Sequence, residues 1–90
     1  MTRRLRGETT CYRLEEGGTI TVRQGNRIGE SLRWEDGSKV RAVTDIGSYP
    51  DGGVWFWRGS AYYEIGRDDV PRAITTEDHK RRMAGEEAGR

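Results

Sequence analysis

The chain has 90 residues, of which 32% are hydrophobic and 34% charged, with a formal net charge of +1. This length fits one small domain, and so even a charge balance excludes the strong basic field of a dedicated duplex-DNA binder. Its longest apolar run, Val54-Trp55-Phe56-Trp57, falls far short of the roughly 18 residues that a membrane span requires.

Thirteen glycines and a set of Trp, Tyr and Phe residues point to short strands, tight turns and a thin core. Leu, Ile, Val and Phe are sparse, yet the small net charge argues against disorder. No apolar stretch follows the basic start Met1 to Gly7, so no secretory signal is expected. Cys11 is the single cysteine, which removes an intrachain disulfide and a cysteine zinc site and points to a reducing cytoplasm. His79 is the single histidine, so a Ser-His-Asp triad or a multi-histidine metal centre has little to draw on. No metal or cofactor is expected.

The small net charge hides a division. Arg3, Arg4 and Arg6 make the start basic, whereas residues 8–69 carry more acids than bases. Residues 1–8 read as a basic flexible arm, 9–74 as a small β-barrel domain, and 75–90 as an exposed C-terminal helix or frayed tail.

Period-two alternation runs from residue 10 to residue 66. Thr10 to Leu14 and Thr19 to Arg23 flank Glu15-Glu16-Gly17-Gly18. An odd, three-residue loop pairs Leu14 with Ile20 and Tyr12 with Val22, matching their apolar faces. Ile28 to Trp34 then alternates, with Ile28, Leu32 and Trp34 inward. Glu35-Asp36-Gly37 is a hairpin signal, and Lys39 to Ile46 returns with Val40, Ala42 and Ile46 inward. Ser31, Arg33, Lys39, Arg41 and Val43 are left on the outer face. The stretch Trp34-Glu35-Asp36-Gly37…Val40 resembles hairpins of SH3-like barrels, a hairpin shared by too many folds to assign a family.

Gly47 to Gly53 reads as the longest loop, with Pro50-Asp51-Gly52 as its turn. Val54 to Arg58 and Ala61 to Ile65 form a hairpin about Gly59-Ser60. Trp57 then faces Tyr62, Phe56 faces Tyr63, Trp55 faces Glu64 and Val54 faces Ile65. Val54, Phe56, Tyr63 and Ile65 are core; Trp55, Trp57, Tyr62 and Glu64 form an outer aromatic ladder. Asp68-Asp69-Val70-Pro71 ends the sheet. Thr75 or Thr76 caps a helix with Glu77–Arg81 and Asp78–Arg82 pairs. The helix has few apolar residues and is expected to be exposed, with His79 solvated and Cys11 buried.

The expected fold is mainly β: a small antiparallel barrel or bent sheet of about six strands, SH3-like first and OB-like second, with a short C-terminal helix. The leading function is a non-enzymatic protein-interaction module, of the kind a phage or other mobile element encodes as a small inhibitor or accessory protein. It docks through Trp55, Trp57 and Tyr62, with Arg33, Arg41 and Arg58 at the rim, because Trp, Tyr and Arg dominate interface hot spots. The alternatives are a single-stranded nucleic-acid binder, in which the same arginines track phosphates, and a self-assembling structural subunit or homodimer joined through an edge strand. The competing account of the two tryptophans is that the helix or the N-terminal arm covers them.

Overall fold

A computed structural model of the chain describes residues 2–4, 10–24, 29–66 and 68–85. Within the segment read as a basic arm, β1 (Thr2–Arg4) pairs antiparallel with β2 (Thr10–Leu14). β2 pairs with β3 (Ile20–Gln24) in the expected register, Leu14 opposite Ile20 and Tyr12 opposite Val22. Glu15 N–H donates to the Thr19 carbonyl at 2.8 Å, which leaves Glu16-Gly17-Gly18 as the odd loop. β3 then pairs with a short β4 (Glu30–Ser31). Ile28, expected inward just before it, lies outside the described residues.

The next turn also closes as expected. Trp34 N–H donates to the Ser38 carbonyl at 2.8 Å, and Arg33 bridges Lys39. Leu32 and Val40 are buried. The alternation then fails at Ala42. That residue takes φ +64 and is exposed, while Val43, expected outside, is only 4% exposed. Lys39 to Ile46 is therefore not one strand. The chain crosses between sheets at Ala42 and begins β5 (Val43–Ser48), with a further register shift between Val43 and Asp45.

This crossing is the physical reason that the expected barrel does not close. There are two antiparallel sheets, ordered β1-β2-β3-β4 and β5-β6-β7-β8. β6 (Val54–Arg58) and β7 (Ala61–Ile65) pair in the expected register, from Val54–Ile65 to Arg58–Ala61. The turn before them is tighter than expected. Gly47 and Ser48 belong to β5, and Tyr49 N–H donates to the Gly53 carbonyl at 2.8 Å. The sheet also does not end at Pro71. Asp69 adopts φ +61, a turn forms with Gly66 N–H donating to the Val70 carbonyl, and β8 (Pro71–Ile74) pairs with β7. Proline at the first residue of an edge strand removes no ladder hydrogen bond that the sheet needs.

The inner faces of both sheets meet in one core of Tyr12, Ile20, Leu32, Val40, Val43, Ile46, Val54, Phe56 and Ile65. Trp34 and Tyr63 pack against it, with Phe56 and Tyr63 stacked at 5.1 Å. The Tyr12 hydroxyl donates to Asp69, tying β2 to the β7–β8 turn. After β8, Thr75 caps α1 (Thr76–Met83) by accepting from Asp78 N–H at 3.0 Å. No helix among the described residues is long and apolar enough to cross a membrane.

The crossing depends on Gly18. A Cβ there would lie 2.8–2.9 Å from the backbone of Ala42 and Val43, and the residue sits at φ +90. Gly37 has the same φ but open space around it. Gly37→Ala is expected to cost about 1–2 kcal/mol, the conformational term alone. Gly18→Ala is expected to cost clearly more, because backbone must also move. Paired denaturant melts check this, and equal losses would remove the crossing contact from the account.

Candidate functional site

The outer face of the second sheet is organised in two cross-strand rows. One runs Gly47, Trp55, Glu64, Arg72; the other runs Asp45, Trp57, Tyr62, Ile74. Alternation along β6 puts Phe56 into the core and both flanking tryptophans on this face, where they are half-buried. Gly47 makes room for Trp55. A Cβ on Gly47 would collide with the indole's six-membered ring, so the indole lies directly over β5. Its Nε1–H is buried with no hydrogen-bond partner among the described residues. Packing, not polar pairing, therefore holds Trp55.

Tyr49 and Tyr62 flank the indole, and α1 adds further cover. His79 stacks on Tyr62 at 3.6 Å and 9°, meets Trp55 edge-on at 4.8 Å, and shares a 2.9 Å hydrogen bond between Nδ1 and the Tyr49 hydroxyl. It is only 7% exposed, which corrects the expectation of a solvated histidine on a free helix. One turn on, Arg82 donates to Glu64 at 2.8 Å and to Asp51 at 3.1 Å, and its guanidinium lies 4.0 Å over the Tyr49 ring. The helix pairs expected from sequence change accordingly. Asp78 pairs with Arg81, and Arg82 leaves the helix surface for the sheet.

Burial pushes the Tyr49 hydroxyl up to about 12, so it stays protonated through the physiological range. Burial, then the Arg82 charge, holds His79 below the ordinary imidazole value. Burial also opposes the Arg82 charge, but the hydrogen bonds and charges of Asp51 and Glu64 outweigh it and raise the guanidinium pKa. The helix is thus anchored by a neutral imidazole and a doubly paired guanidinium, with almost no apolar surface.

The six residues expected to form one docking face are divided. Trp55, Trp57 and Tyr62 share the outer face, but Trp55 and Tyr62 lie under His79. Arg58 alternates to the core side of β6, where it caps the Trp34 ring at 5.3 Å and donates to the Arg41 carbonyl at 2.7 Å. Arg33 and Arg41 are exposed on the central hairpin, Arg33 donating to the Gly37 carbonyl. The arginines are therefore not a rim around the tryptophans. Cys11 is half-buried rather than core. It faces an open cleft of about 340 Å³ with Arg13, Glu15, Thr21, Arg23 and Gly29, on the outer side of the first sheet.

Sequence reasoning missed Tyr49, Asp51, His79 and Arg82 as one cluster. A signal was present. His79 and Arg82 are three apart, so they share a helix face one turn beyond the cap.

Because folding lowers the His79 pKa, the unfolded chain binds its proton more readily. The contribution is complete above the ordinary value of about 6.5 and is lost as pH falls through the lowered native value. Wild type is therefore expected to lose more stability than His79→Phe between about pH 7 and about pH 5, a window that straddles the free imidazole. Melts with Trp fluorescence check this, and parallel pH curves for the two proteins would refute it. No protein-family model, curated protein or solved structure matches the chain, so its function has to be read from this geometry.

Proposed function

We propose that the chain is a non-enzymatic protein-interaction module that docks through Trp57, the end of this face that His79 does not contact, with Tyr62 beside it. Trp57 carries the reading. It is half-buried, lies on the side of the sheet away from the core, and packs edge-to-face on Tyr62 at 4.5 Å. The rings that His79 contacts are Tyr49, Trp55 and Tyr62; Trp57 is not among them. Aromatic anchors of this kind supply most of the energy of protein interfaces. Trp55 serves as support beneath the helix rather than as a contact.

Capture from host extract after nuclease treatment, with wild type, Trp57→Ala and Arg41→Glu as baits, tests the reading. Trp57→Ala is expected to stay folded and to weaken capture of a specific protein by about 2 kcal/mol or more, the scale of a hot-spot residue. Arg41→Glu is expected to bind normally. Unfolding of Trp57→Ala would assign the ring to the core and end this reading.

One observation favours a second reading, single-stranded nucleic-acid binding, at a different place. Arg58 lies over Trp34, next to Arg33, Lys39 and Arg41 on the central hairpin. On that reading, oligonucleotide binding at low salt falls steeply with added salt and is lost in the Arg33→Glu, Arg41→Glu double variant. Absence of binding at low salt would remove it.

A further inference from the structure

Asp45 stands opposite Trp57 across the β5–β6 pair, on the face away from the core. Directly opposed side chains on neighbouring strands lie about 5 Å apart at Cβ. Asp45 Oδ1 accepts from Ile46 N–H at 2.9 Å, which fixes the carboxylate beside β5. Among the described residues no ion pair engages it. The other carboxylate on this face, Glu64, is already held by Arg82.

The opposite end of the same row carries charges of both signs. Ile74 is paired with Tyr62, and α1 opens just beyond it with Glu77 and Asp78 in its first turn. Asp78 is paired with Arg81, and Glu77 and Lys80 are both exposed, so the negative charge of the corner rests on Asp45. The cations that the sequence suggested as neighbours lie elsewhere. Arg33 and Arg41 sit on the central hairpin, and Arg58 is turned to the core side over Trp34.

We infer that the Trp57–Tyr62 corner takes a lysine or arginine side chain from a basic segment of the partner protein, its charge paired with Asp45 and its stem laid on the Trp57 ring. The inference rests on the docking reading above and specifies its partner. The face of an indole carries negative potential and attracts cations, and the Asp45 carboxylate opposite Trp57 adds the charge that the ring lacks. Complementary charge at an interface selects partners and sets their register. The same charges disfavour a phosphate backbone here.

The test is titration of the ¹⁵N-labelled chain with hexalysine, hexaglutamate and an uncharged tryptophan-containing peptide. Hexalysine is expected to shift the Trp57 indole N–H and the amides of Asp45 and Tyr62 saturably, with the effect weakened by salt. Asp45→Asn is expected to weaken binding about threefold to tenfold at unchanged melting temperature, in keeping with an exposed cation–π contact and ion pair. Trp57→Ala is expected to abolish the shifts. Hexalysine binding to Asp45→Asn as to wild type would overturn the inference. Shifts at this corner from the tryptophan peptide but not from hexalysine would overturn the inference and leave the docking reading standing. A corner silent to all three peptides, with hexaglutamate shifting only Arg33 and Arg41, would overturn both.

Discussion

Gly18 has no side chain, and the backbone of Ala42 and Val43 runs through the space that one would fill. Val43 N–H donates to the Gly18 carbonyl at 2.9 Å across the same contact. Ala42 is held at φ +64, a conformation that costs a non-glycine residue about 1–2 kcal/mol. That strain persists because the close approach gives the chain one route from β4 into β5. Val43 and Ile46 then both point into the core although they are three positions apart, an odd spacing absorbed by the register shift between Val43 and Asp45. The two sheets meet face to face through this joint, and the barrel that simple alternation suggests stays open.

The second sheet inherits two faces of different character. Its inner side is an ordinary apolar core. Its outer side carries aromatic rings that α1 covers only in part, and with polar groups. His79 contributes a flat neutral ring, and Arg82 a guanidinium shared between Asp51 and Glu64. A helix of eight residues is marginal alone in water and takes its stability from what it packs against. Its hold on the sheet therefore rests on groups whose charge state matters. Met83, 43% exposed, adds little apolar contact.

The sorting of arginines and tryptophans onto different surfaces changes the chemistry that the proposed docking would need. A tryptophan rimmed by arginines suits an acidic partner. Trp57 beside Asp45 suits a basic one. The sign of the charge proposed for a partner turns on whether Arg58 alternates to the core side, as it does, or shares the face of its neighbour Trp57.

Much of the fold was legible because its causes are local. Glycine-bearing odd loops set the β2–β3 register, Gly59 set the β6–β7 register, and alternation separated Phe56 from Trp55 and Trp57. Thr75 marked the start of α1 through an ordinary cap. The crossing at Ala42 and the addition of β8 were not legible, because each depends on backbone in the left-handed region held by distant contacts: Gly18 for Ala42, and Tyr12 for the turn at Asp69. The burial of His79 was equally hidden. Residues 75–82 around it are all polar, and its partners Tyr49, Trp55 and Tyr62 come from three other places in the chain. Local pattern fixed which side of each strand a residue takes; only the packing of helix on sheet decided which of those sides met solvent.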